Sequence, residues 1–180
     1  MSGKDLKAIL RGCIIWTVDT DAVWSTYKGR TFMQSPKKLR ILFLCTGNAC
    51  RSQMAEGWAR HLKGEIVEPY SAGVDPHALD PRAVRVMGEA GVDISSHQSK
   101  KLDELRGIVF DYVITVCDNA RERCPIFPGA TKVLHVGFDD PPRLAKQART
   151  EQEALDHYRR VRDEIRDFIV QLPVVPAKKA

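Results

Sequence analysis

Apolar residues recur along the chain in two alternating rhythms. "LRILFLC" (39–45) is a continuous β-favouring run of the kind that fills a strand buried on both faces, and "SQMAEGWARHLKG" (52–64) follows at helical spacing with a closing glycine suited to a C-cap. "EIVEPYSAG" (65–73) predicts a second strand. Asp80 and Pro81 then stand as N-cap and first-turn residues of a helix to about Ala90, closed by Gly91. "FDYVITVC" (110–117) and "TKVLHVGF" (131–138) are rich in β-branched residues and predict a third and a fourth strand. Finally, Ala154, Leu155, Tyr158, Val161, Ile165, Phe168, Ile169 and Leu172 repeat at helical spacing, with Thr150 and Glu153 in a capping-box pattern at the start.

Alternating strands and helices imply an α/β fold in one domain: a four-stranded parallel sheet with right-handed crossovers and helices on both faces. Ligands of such sheets bind beyond the carboxyl ends of the strands. Cys45 ends the first strand, Cys117 ends the third and "DDPP" (139–142) follows the fourth, so the reactive side chains converge on one rim. The catalytic domain is expected over 39–172, with an N-terminal extension at 1–38 and a tail at 173–180. The extension holds Trp16 and Trp24 without a clear period, and Met33 would be a natural beginning for the domain; the segment is expected to add nothing to catalysis.

Composition narrows the function. With 180 residues and 43% hydrophobic content the chain fills one core rather than two enzyme-sized domains. A net charge of +5, drawn partly from the ends, does not mark a nucleic-acid footprint, and no apolar run reaches the roughly 18 residues of a membrane span. "CIIWTV" (13–18) is too short for a signal-peptide core, so a cytoplasmic protein is expected, acting as a monomer without nucleic-acid or membrane partners. Five cysteines are an odd number for a disulfide framework, and cytosolic thiols are more often catalytic, metal-binding or redox-active.

The segment "CTGNACRS" (45–52) carries the chemistry. Five residues separate Cys45 from Arg51 at a strand-to-helix junction, which lets the backbone N–H groups of Thr46, Gly47, Asn48, Ala49 and Cys50 turn inward around a tetrahedral oxyanion. Arg51 supplies a planar fork of donors to two oxygens of that anion. The same field is expected to lower the Cys45 thiol, with the Ser52 hydroxyl placed to hydrogen-bond the sulfur, so that a nucleophilic thiolate is populated near neutral pH. Gly47 and Asn48 tolerate the left-handed backbone such a cradle uses. A four-thiolate zinc site from Cys45, Cys50, Cys117 and Cys124 is the competing reading, but gaps of four and six residues fit poorly with the short knuckles usual for zinc. A protein that merely recognises an anion is a further alternative, and a general acid is what such a binder would lack.

"CTGNACRS" resembles the Cys-x5-Arg-Ser/Thr signature of the low-molecular-weight protein tyrosine phosphatases and of the arsenate reductases built on the same fold, with the likeness running from about Leu39 to about Leu172. The resemblance implies Cys45 as nucleophile, the loop and Arg51 as oxyanion holders, and Asp140, the aspartate directly before a proline in "GFDDPP", as general acid; Asp139 is the weaker match. "VCDNARERCP" (116–125) resembles the redox segment of the thioredoxin-coupled arsenate reductases, in which two further cysteines seven positions apart join a disulfide cascade. Phosphatases of this fold tend to carry a tyrosine pair after the Asp-Pro, where Pro142 and Arg143 stand here.

The resemblance therefore implies an arsenate reductase, with a low-molecular-weight phosphatase as the alternative. It implies that Cys45 attacks arsenate, that Cys117 resolves the adduct, and that Cys124 resolves Cys117 in a polar, flexible "DNARER" loop, with no bound cofactor and thioredoxin as external reductant. Cys50 is given no role beyond its backbone N–H. Asn48, Glu56 and Ser71 match a potassium site of some relatives, but Lys100 falls where a carboxylate completes it, so no bound metal is expected.

Overall fold

The computed structural model describes residues 24–27, 30–33, 37–122, 124–127 and 131–172. Cys13, Trp16 and the tail at 173–180 lie outside the described residues. The chain divides after Lys37 into two units. In the first, β1 (Trp24–Tyr27) and β2 (Arg30–Met33) pair antiparallel as a hairpin that the sequence pattern did not predict, with Met33 opposite Trp24.

The second unit carries a four-stranded parallel sheet built from β3 (Leu39–Cys45), β4 (Val67–Gly73), β5 (Tyr112–Thr115) and β6 (Lys132–His135), in the order β4-β3-β5-β6. The central position of β3 explains its composition. Ile41, Leu42, Phe43 and Leu44 are all at most 1% exposed, because neighbours cover the strand on both edges and both faces. Around the sheet lie α1 (Arg51–Lys63), α2 (Pro81–Glu89) and α5 (Glu151–Val170), each closing part of the core. Leu155, Tyr158, Val161, Ile165 and Ile169 form the buried stripe of α5, as its spacing predicts. Among the described residues no helix is long and apolar enough to cross a membrane.

Asp80 caps α2 as expected, accepting from the amides of Arg82 and Ala83. The capping box at α5 is only half formed: Thr150 accepts from the Glu153 amide, but the Glu153 carboxylate turns to the amide of Arg149. β5 and β6 end at Thr115 and His135, short of their apolar runs, although the Val116 and Val136 amides still bond to the Leu44 and Thr115 carbonyls of the neighbouring strands. The sequence pattern also missed three short elements. These are a 3-10 turn at Leu102–Leu105, α3 (Asp118–Glu122) and α4 (Pro141–Ala145). The finding at α3 corrects the expectation of a flexible loop between the distal cysteines: "DNARE" winds into a helical turn, started by a bond from the Arg121 amide to the Cys117 carbonyl.

Candidate active site

The loop from Thr46 to Cys50 leaves the carboxyl end of β3 and enters α1, and its carbonyls are all engaged on the outside. The segment after β4 supplies amides to three of them, Asp75 to Thr46, His77 to Gly47 and Asp80 to Ala49, and Val74 to the preceding Cys45 carbonyl, at 2.8–3.2 Å. The Asn48 carbonyl accepts from the Gln53 amide at 2.9 Å and the Ser99 hydroxyl at 2.6 Å, and that of Cys50 begins the α1 ladder. With the acceptors turned out, the N–H groups of the loop are left to face an anion.

Asn48 holds this shape. It is fully buried with φ 46°, the sole left-handed non-glycine among the described residues. Its side-chain oxygen accepts from the Lys100 amide at 2.7 Å and from Gln53, and its amide donates to Ser52 Oγ at 2.9 Å. Gly47, also expected to be left-handed, is not; it matters for close approach instead, since a Cβ there would meet the His77 ring at 2.8 Å. The tighter constraint is at Gly73, paired with Cys45 across the sheet and not singled out from sequence. A Cβ there would lie 2.7 Å from the Thr46 carbonyl oxygen and 2.9 Å from the Asn48 nitrogen, backbone atoms that cannot step aside. Gly73→Ala is expected to cost about 1–3 kcal/mol in stability and to weaken phosphate binding, checked by denaturant unfolding and calorimetric titration.

Cys45 is 4% exposed, and its sulfur sits 2.9 Å from Ser52 Oγ and 3.1 Å from the Asn48 amide. Because the Asn48 side-chain amide already donates to Ser52 Oγ, the Ser52 hydrogen is free to point at the sulfur. Burial pushes the Cys45 thiol up, opposed by these hydrogen bonds, a direction opposite to the lowering expected from sequence. The field of the loop stabilises the thiolate, but closing the loop over the sulfur removes its water. Ser52→Ala takes away one of the opposing bonds. Alkylation of Cys45 at neutral pH should then slow about tenfold and recover at higher pH, as traced by iodoacetamide mass labelling. Cys50 is fully enclosed and its thiol is pushed well up by burial, in keeping with a backbone role alone.

Arg51 donates to the Phe138 carbonyl at 3.0 Å and pairs with Asp140 at 3.0 Å. Asp140 occupies the N-cap position of α4 without capping it, so its carboxylate is free to turn into the site. Asp139, by contrast, is held by Arg160 at 2.7 Å, which keeps its carboxyl below the usual range and away from proton donation. Arg51, Cys117 and Asp140 line one cleft of about 390 Å³, together with Thr46, Asp118 and Arg143. Cys117 is 5% exposed, with its sulfur 3.4 Å from Thr46 Oγ1. Cys124 is less buried and stands at the far end of α3, outside the residues lining that cleft.

Further support comes from Asp80 and Glu56. Asp80 receives the Tyr158 hydroxyl at 2.6 Å while its amide holds Ala49, tying the loop to α5. Glu56 is buried, bonded to Ser71 and Arg60 at 2.6 Å each, with the Lys100 ammonium at 3.8 Å. This donor set does not fit a monovalent cation, because two side-chain cations already face the carboxylate. Among the described residues no group of three or more His, Cys, Asp or Glu side chains is arranged to hold a metal ion.

The sequence model of the low molecular weight phosphotyrosine protein phosphatase family matches residues 40–175. An arsenate reductase of Bacillus licheniformis is 49% identical over 132 residues, which cover 73% of this chain and 93% of that one. The fold superposes on a thioredoxin-dependent arsenate reductase of Corynebacterium glutamicum with a TM-score of 0.56 at 29% identity, covering 75% of this chain and 59% of that one. It also superposes on a low molecular weight protein tyrosine phosphatase of T. tengcongensis with a TM-score of 0.58 at 30% identity, covering 75% and 97%. Backbone similarity alone does not separate the two activities.

Proposed function

Since the chain belongs to the low molecular weight phosphotyrosine protein phosphatase family, we propose that it is the arsenate-reducing kind of member, converting arsenate to arsenite through Cys45, Cys117 and Cys124 with thioredoxin as reductant. The observation that carries this is the second thiol: Cys117 opens onto the same cleft as Arg51 and Asp140, and Cys124 follows seven positions later. Hydrolysis of a phosphate ester has no use for either. The similarity to reductases named above supports the same choice.

The steps balance as follows. The loop amides and Arg51 hold arsenate while the Cys45 thiolate bonds to arsenic, and one oxygen departs as water on a proton from Asp140. The Cys117 thiolate then attacks the Cys45 sulfur; the sulfur–arsenic bond breaks, its electron pair stays on arsenic, and arsenite leaves. Two thiols have supplied two electrons and are joined as a disulfide. Cys124 attacks Cys117 in turn, returning Cys45 as thiolate, and the dithiol of thioredoxin reduces the remaining bond.

Turnover with arsenate, thioredoxin, thioredoxin reductase and NADPH, set beside hydrolysis of an aryl phosphate, tests the proposal. Arsenate-dependent NADPH oxidation with only slow hydrolysis is expected. Fast hydrolysis without NADPH oxidation would overturn it in favour of a phosphatase.

A further inference from the structure

Between Cys117 and Cys124 the chain is wound as α3 over Asp118–Glu122, and the five-residue step from Cys117 to its last residue rises about 7.5 Å. A disulfide needs its Cα atoms about 4.4–6.8 Å apart, so joining these cysteines requires α3 to unwind. What holds the start of α3 is therefore set against that bond. His135, the last residue of the edge strand β6, directs Nε2 to Asp118 Oδ1 at 3.2 Å, while its Nδ1 lies 2.9 Å from the buried Thr115 hydroxyl. Nε2 faces Asp118, and the Thr115 hydroxyl, which also reaches the Leu134 carbonyl at 3.3 Å, anchors the ring through Nδ1. Its side chain is only 17% exposed, whereas that of Asp118 is 85% exposed, so a largely buried imidazole meets the exposed start of α3. Gly137 leaves room for the pair, since a Cβ there would come within 3.2 Å of Nε2.

We propose that His135 and Asp118 form a latch that keeps α3 wound and so favours the Cys117/Cys124 dithiol over its disulfide. His135 is thereby a positioning residue for the last exchange and touches no reacting atom. The proposal rests on the three-cysteine relay and adds a determinant of its final equilibrium.

The test uses the full-length chain with Cys45→Ser, so that Cys117 and Cys124 exchange without the nucleophile. It is equilibrated against mixtures of reduced and oxidised dithiothreitol; the two thiols pass two electrons and two protons to the oxidised reagent, and alkylation with peptide mapping quantifies the bond. Asp118→Ala and His135→Leu should each favour the disulfide by about threefold, the size of a partly exposed pair. His135→Gln, which keeps an N–H near the place of Nε2, should match the parent, and Asp118→Ala combined with His135→Leu should shift no further than either alone. An unchanged Asp118→Ala, a His135→Gln shift equal to that of His135→Leu, or fully additive shifts would overturn the latch. A parent chain that forms no Cys117 to Cys124 bond at any ratio overturns the relay and the latch together, before any variant is compared.

Discussion

Cys117→Ser is expected to release no arsenite, whereas Cys124→Ser should release about one equivalent per chain and then stop with Cys45 and Cys117 joined. The asymmetry follows from position. Cys117 stands at the cleft that holds Arg51 and Asp140 whereas Cys124 stands beyond α3 and off that cleft, so the proposed relay has Cys117 resolve the Cys45 adduct and Cys124 resolve Cys117. Both variants should still hydrolyse an aryl phosphate slowly, because that reaction asks only for Cys45, Arg51, Asp140 and water. Single-turnover arsenite measurement with mapping of the trapped disulfide gives the answer, and repeated turnover by Cys124→Ser with thioredoxin as sole reductant would sink the three-cysteine scheme.

Asp140→Asn should slow the first chemical step by about 10² to 10⁴, the range of a lost general acid, and leave oxyanion binding largely intact. In the free site the Asp140 carboxylate occupies Arg51, so an arriving anion competes with it for one guanidinium. An asparagine offers less competition, and phosphate inhibition should hold or tighten while the burst of arsenite slows. Parallel loss of phosphate affinity and burst rate would assign Asp140 to binding alone.

The parallel sheet was legible because β3 is apolar throughout and the two long helices repeat at helical spacing. The oxyanion loop was legible because a cysteine at a strand end, five residues before an arginine, leaves few physical alternatives. The rest escaped for identifiable reasons. Gly73 acts through backbone atoms of another segment, and nothing in "SAG" announces which atoms those are. "DNARE" is too short and polar for a period, and tertiary contacts with β3 and β5 wind it. At Cys45 the donors around the sulfur are readable in sequence, but the burial that opposes them is not.

Accessibility rises in the order in which the proposed relay uses its sulfurs, with Cys45 and Cys117 at 4% and 5% exposed and Cys124 only half-buried. A thiol sealed to that degree is out of reach of the active-site surface of another folded protein. In the proposed relay, arsenate and a protein reductant would then need separate entrances, and the short stretch from Cys117 to Cys124 would carry oxidation outward from the cleft. The seclusion that shelters Cys45 from stray oxidants is also what obliges the chain to keep an outlet.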